Sequence, residues 1–214
     1  MATCGKRVTE RMNIQLIMPF SNMEVRDVVQ NMSKSSCPGE DGFPITFFQQ
    51  YWDVVGDRLR ILCNHVLESG RMPQAMGTGL IYMIPKGNNQ AVEIEKWRPI
   101  TLLNTIYKIY AKVLSMRIQK FLPLLIHQAQ TGFVKERSIL DNIFVFWETV
   151  ALAKKTRQDL AILMLEFEKA YDRVDWSFLE GTLQHMGFSE KWINAVLAMY
   201  NNATSKVLIA GGKR

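Results

Sequence analysis

Six consecutive apolar residues, Leu160 to Leu165, run directly into the acids Glu166, Glu168 and Asp172. An unbroken run of this length suits a strand covered on both faces, because a half-exposed strand would alternate apolar with polar. Such a strand needs neighbours and a layer of packing on each side, so it dictates what the rest of the chain must provide. It would deliver Glu166 at its C-terminal end. A carboxylate held there by a sheet is rigid and well placed for a divalent ion, with substrate phosphates and water filling the other positions. The same residues also read as a plain strand-to-helix turn with solvated acids and Asp172 as a helix cap.

The remaining composition is compatible with a packed core. Of 214 residues, 48% are apolar and 21% charged, which excludes a disordered acidic chain. Lys and Arg number 26 against 20 Asp and Glu, a net charge of +6. The excess is concentrated. Between Tyr82 and Arg137 stand Lys86, Lys96, Arg98, Lys108, Lys112, Arg117, Lys120, Lys135 and Arg137, against Glu93, Glu95 and Glu136. This concentration is the footprint of a phosphate-binding surface, and a solvated helix face is the competing reading.

Cys4, Cys37 and Cys63 are odd in number and widely spaced, so they form neither a disulfide framework nor a paired metal motif. They fit a reducing compartment. Cys63 and His65 lie close but lack partners for a metal site. No apolar run approaches the roughly 20 residues of a membrane span. The N-terminus lacks the pattern of a secretory signal. An intracellular protein, nuclear or cytoplasmic and without membrane contact, is expected.

Periodicity supplies the elements. Residues 1–20 are mixed and read as a poorly ordered extension. Ser21 opens a helix with Val25, Val28, Val29 and Met32 on one face. Pro38 to Gly42 is a dense turn signal. Phe47 to Glu68 predicts one or two helices ended by Gly70, and Leu80 to Ile84 a strand. Lys86 to Glu95 reads as an exposed polar tip. Asn104 to Phe121 is helical, with Ile106, Ile109, Tyr110, Val113 and Leu114 facing inward. Asp141 is a candidate cap for a helix bearing Ile143, Phe144, Phe146 and Trp147. Asp175 or Ser177 caps the next helix, which Gly187 ends, and Ser189 caps another. Lys206 to Ala210 is a last strand for which no following partner is visible.

Leu165-Glu166-Phe167-Glu168-Lys169-Ala170-Tyr171-Asp172-Arg173-Val174 resembles the first catalytic motif of reverse transcriptases encoded by non-LTR (long interspersed element) retrotransposons. Other blocks resemble the same family in the same order. They are Pro38-Gly39-Glu40-Asp41-Gly42-Phe43, then Ile84-Pro85-Lys86-Gly87, then Trp97 to Asn104 with Tyr107-Lys108. Gln130 to Val134 with Arg137 to Ile143 completes the series. Ordered blocks over most of a chain are far more specific than one short pattern.

The resemblance implies an α+β fold, a partial right-hand polymerase with helix-rich fingers and an incomplete palm sheet. On this pattern residues 1–20 are an extension, 21–160 fingers-like and 161–214 a partial palm. The family reaction is RNA-templated DNA synthesis. The implied partners are an RNA template, a DNA primer and a dNTP, and the implied cofactor is Mg²⁺. By this resemblance Glu166 occupies the first metal-binding, catalytic position. Lys86, Arg98 and Tyr171 are the nucleotide-binding residues, Tyr171 by crowding the sugar 2′ position. Gln130, Gly132, Phe133 and Arg137 lie along the template.

Two departures from the family pattern matter. Glu166 stands where the family has aspartate, which moves the carboxylate outward by roughly 1–1.5 Å, and Mg²⁺ needs near-ideal octahedral geometry. The sequence also reaches Arg214 without the glutamine-glycine motif or the strand with paired aspartates. The chain alone is therefore expected to be an inactive fragment of such an enzyme, with Mg²⁺ not bound productively. The alternatives are a non-catalytic nucleic-acid-binding module and a non-functional retroelement remnant.

Overall fold

The computed structural model describes residues 6–87, 93–209 and 212–213. In chain order it contains α1 (Glu10–Ile17), α2 (Asn22–Asn31), α3 (Ile45–Gln50), α4 (Trp52–Ser69), α5 (Gln74–Gly77) and β1 (Thr78–Pro85). A short 3-10 turn leads into β2 (Trp97–Leu103), α6 (Thr105–Gln119) and α7 (Leu122–Leu125). α8 (Ile139–Thr156), α9 (Trp176–His185), α10 (Glu190–Leu197), β3 (Thr204–Ile209) and β4 (Gly212–Lys213) follow. The fold is a mixture of helices with one small sheet.

Local chemistry explains most helix boundaries. Ser21 accepts a hydrogen bond from the Glu24 N–H at the start of α2, and Val25, Val28 and Val29 are buried, as the periodicity predicts. α4 ends at Gly70, whose left-handed φ of 61° closes the helix. Asp175 caps α9 and Ser189 caps α10 through side-chain acceptors. α6 buries Ile109, Tyr110, Val113 and Leu114, while Ile106 packs at the core's edge. The α8 boundary differs from expectation. Ser138 is its N-cap, and Asp141 sits three residues in, returning a carboxylate to the Ser138 N–H in a capping box.

The core lies between α2, α4, α6 and α10, and α1 is part of it. The expected poorly ordered extension instead packs against the core from residue 8 onward. Val8, Leu16 and Phe20 are buried, and Asn13 bonds both Gly187 and Ser189. Arg117 fixes the end of α1. Its guanidinium donates to Leu16 O at 2.9 Å and Pro19 O at 3.2 Å, and also to Met18 O. It pairs with Glu24 at 2.6 and 2.8 Å and lies over the Phe20 ring. Residues 1–5 lie outside the described residues.

The sheet runs β2-β1-β3-β4. β1 and β2 form an antiparallel hairpin, with Tyr82 opposite Ile100 and Ile84 opposite Arg98. Pro99 is tolerated because β2 is an edge strand. β3 finds its neighbour in β1, which it joins in parallel from Thr78–Thr204 to Ile81–Val207. The last predicted strand therefore docks on one formed early in the chain. The centre of the predicted hairpin tip, residues 88–92, lies outside the described residues.

The strand expected from Leu160 to Leu165 does not form. The segment has no regular secondary structure and is exposed, Leu163 by 82%. α8 likewise buries none of its apolar residues, including Ile143, Phe144, Phe146 and Trp147. A strand is stable only with a ladder partner and packing on its faces. The described residues place neither beside this run.

Candidate nucleic-acid and nucleotide interface

Three groups of predicted site residues occupy distinct places. The first is the β1–β2 hairpin. Arg98 faces Ile84 in the register, and the ladder continues where the Lys86 N–H donates to Lys96 O at 2.7 Å. Side chains of directly opposed residues lie on one face, so Tyr82, Ile84, Ile100 and Arg98 share a face. All four are exposed, with Lys86 and Lys96 at the far end of the ribbon. The sequence-predicted nucleotide-binding residues Lys86 and Arg98 are thus neighbours, although twelve positions apart in sequence. Exposed basic groups beside apolar and aromatic surface are the features that bind phosphates and stack bases.

The second group supports the hairpin, and sequence reasoning assigned it no function. The Pro38 to Phe43 loop is seated on the end of β2. Asn104 is buried, donating to Ala75 O at 2.7 Å and accepting the Asp41 N–H at 3.3 Å. Thr105 Oγ1 donates to Phe43 O at 2.6 Å, and Lys108 Nζ to Cys37 O at 2.5 Å. Lys206 of β3 pairs with Glu40 at 2.8 and 3.0 Å. A Cβ on Gly39 would lie 2.3 Å from Asn104 Oδ1 and 2.4 Å from its backbone nitrogen, so only glycine permits this approach. Burial lowers the Lys108 pKa from its ordinary value, against the opposing pull of Cys37 and Asp41. In the sequence Asn104 closes the family-like block from Trp97 and opens the predicted α6 helix, but neither reading points to its role in seating the loop.

The third group is the loop between α7 and α8. Thr131 and Val134 are buried and anchor it, and Asn142 donates to Ala129 O and Thr131 Oγ1. Gln130 Nε2 donates to Gly132 O at 3.3 Å. Phe133 has a left-handed φ of 61° and is 86% exposed. Its ring meets Tyr171 edge-to-face at 6.2 Å. This contact brings a predicted template residue and a predicted nucleotide residue together. Arg137 does not extend outward. Nη1 donates to His127 O and Gln130 O at 2.6 and 2.7 Å, and Nη2 to Pro123 O and Ile126 O, both at 3.0 Å.

Not all the basic residues of the Tyr82–Arg137 stretch are therefore available to a ligand. Arg117, Arg137 and Lys108 are engaged within the fold, while Lys86, Lys96, Arg98, Lys112, Lys120 and Lys135 remain exposed. Lys96 also meets Glu93 at 3.0 Å.

Glu166 joins none of these groups. It is exposed and, among the described residues, makes no hydrogen bond or ion pair, while nearby Glu168 is paired with Arg173 at 3.0 Å. Among the described residues, no three His, Cys, Asp or Glu side chains converge on a point that could hold a metal ion. A divalent ion needs several oxygen ligands in fixed geometry. In this arrangement Glu166 does not provide that setting. No described helix is long and apolar enough to cross a membrane.

Residues 84–212 match the family described as reverse transcriptase (RNA-dependent DNA polymerase). The matched region contains the Arg98, Phe133, Glu166 and Tyr171 segments, and the chain belongs to this family, in the type carried by non-LTR retrotransposons. It is 35% identical over 202 residues to the transposon TX1 uncharacterized 149 kDa protein of Xenopus laevis, covering 94% of this chain and 15% of that protein. It is 23% identical over 199 residues to the retrovirus-related Pol polyprotein from type-1 retrotransposable element R2 of Popillia japonica, covering 92% of this chain and 26% of that protein. With the RNA-directed DNA polymerase from mobile element jockey of Drosophila funebris it shares 24% identity over 158 residues, 73% of this chain and 17% of that protein. The chain thus spans between 15% and 26% of the length of these relatives.

Proposed function

We propose that this chain supplies the fingers and part of the palm of a right-hand reverse transcriptase, with residues 21–160 as fingers and 161–214 as palm. The observation that carries the reading is the exposed face of the β1–β2 hairpin, where Arg98 stands beside Tyr82, Ile84 and Ile100, with Lys86 nearby. Lys86 and Arg98 engage the triphosphate of a dNTP, Arg98 by the two-pronged fork of its guanidinium. Tyr171 crowds the sugar 2′ carbon and disfavours a ribonucleotide by steric clash. Gln130, Gly132 and Phe133 line the path of an RNA template paired with a DNA primer. Among the described residues, a Cβ on Gly132 would meet only Gln130 Nε2, at 3.7 Å, which leaves open space beside this part of the loop.

Mg²⁺ is the cofactor of the complete reaction in this reading, with Glu166 at the catalytic position. The 214-residue polypeptide alone is proposed to bind nucleic acid without polymerising. The isolated, exposed setting of Glu166 supports this. Primer extension on a poly(rA) template with labelled dTTP and Mg²⁺ or Mn²⁺ tests it, beside a mobility shift with single-stranded RNA. The expected result is a shifted RNA and no incorporation. Template-dependent incorporation lost in Glu166→Ala would contradict the catalytic part. Absence of a shift at low salt would contradict the binding part and favour a non-functional remnant.

A further inference from the structure

The geometry points to Arg137 as a positioning residue, one that holds the α7–α8 loop so that Phe133 is displayed beside Tyr171 and does not itself grip nucleic acid. This rests on the proposed binding of nucleic acid by the same loop. A guanidinium offers five N–H donors in a rigid plane. Four backbone carbonyls, of Pro123, Ile126, His127 and Gln130, accept from the two terminal nitrogens of Arg137 at 2.6–3.0 Å. Two of these carbonyls belong to the last turn and C-cap of α7, which lack helical partners. The other two lie in the loop. The side chain thus bridges a helix end to the loop that follows it.

The loop needs such a tie. Phe133 and Glu136 both have left-handed φ values, 61° and 66°, which side chains other than glycine adopt only when surroundings enforce them. Phe133 is almost wholly exposed, so burial of its own ring does not hold it. Asn142 ties the loop from the other side through Ala129 O and Thr131 Oγ1. Lysine keeps the charge of Arg137 but cannot place four donors in one plane. An arginine that grips phosphate and one that shapes the loop therefore respond differently to substitution.

Fluorescence anisotropy of a labelled single-stranded oligo(rU), measured across a salt series, reads the difference. A phosphate contact contributes about 0.7 to the slope of log affinity against log salt for a single strand. The expected result is that Arg137→Ala leaves this slope unchanged. Arg137→Lys weakens binding about fivefold or more, as loss of one stacked base does. In a Phe133→Ala background, Arg137→Lys causes no further loss. A slope reduced by about 0.7 in Arg137→Ala, or full affinity in Arg137→Lys, overturns the assignment.

Hydrogen exchange of the free protein provides a second readout that does not need RNA. Residues 127–137 are expected to exchange faster in Arg137→Lys, while α4 and α6 are unchanged. Unchanged exchange in the loop overturns the positioning role. If the wild-type chain binds no RNA at any salt, the proposed function fails, while the exchange experiment still decides whether Arg137 holds the loop.

Discussion

The Phe133 ring meets the Tyr171 ring edge-on, with centroids 6.2 Å apart and planes inclined at 82°. The two residues lie on different segments, and both are exposed, Tyr171 by 77%. An exposed pair of rings offers a π-face to an unpaired base, and such stacking is worth roughly 1–3 kcal/mol per base. Phe133→Ala is expected to weaken single-stranded RNA binding about fivefold or more, and Tyr171→Phe to leave it unchanged. Anisotropy titration checks both. Equal affinity of Phe133→Ala and the wild type would remove Phe133 from the interface.

Arg117 is the buried counterpart of the exposed basic residues. It holds three backbone carbonyls, Glu24 and the face of Phe20. Removing one partner of a buried ion pair costs about 3–5 kcal/mol, because the other charge is left unpaired. Arg117→Ala is therefore expected to lower stability by about 3 kcal/mol or more, read from urea unfolding. A change below about 1 kcal/mol, the range of a surface ion pair, would contradict the structural role.

Gly39 faces Asn104 so closely that any Cβ would overlap its side chain and backbone. Gly39→Ala should push the Pro38–Phe43 loop off β2 at a cost of about 1–3 kcal/mol. Gly42, with φ of 72° and open space around its Cβ position, is limited only by backbone strain. Gly42→Asn is expected to be milder, since asparagine tolerates the left-handed region. Thermal unfolding of both variants tests the order, and a milder Gly39→Ala would contradict it.

Cys63 lies in the core, and burial pushes its thiol pKa up to about 12 from an ordinary value of 9.0. Between those values the folded chain keeps a proton that the unfolded chain releases. The Cys63 contribution is thus fully present below pH 9 and is lost as pH rises towards 12. Within that window the slope approaches about 1.4 kcal/mol per pH unit. Buried Tyr110 and half-buried Tyr107 act in the same direction, also because burial raises them. Urea midpoints should fall less steeply with alkaline pH in Cys63→Val than in the wild type. Parallel slopes would show that Cys63 does not contribute.

Elements set by local chemistry were legible in the sequence. The caps Ser21, Asp175 and Ser189 and the terminating Gly70 and Gly187 can be read from residue type and spacing, because they act within a few residues. The Leu160–Leu165 run was misleading, since a strand depends on partners that periodicity does not supply. The fates of the arginines were also hidden. Arg98, Arg117 and Arg137 lie in one basic stretch, yet one is exposed, one is buried on Glu24 and one ties together four carbonyls. Only tertiary placement separates them. Motif order located the Phe133 and Tyr171 segments, but their contact depends on residues 38 apart in sequence meeting in space.

The central claim is that the hairpin face is a phosphate-binding surface of a reverse transcriptase. The direct measurement is the affinity of a fluorescently labelled dNTP for the wild type and for Lys86→Ala/Arg98→Ala, read by fluorescence anisotropy. Loss of two charge-assisted phosphate contacts predicts that the variant binds about tenfold more weakly or worse. Affinity equal to that of the wild type would contradict the account.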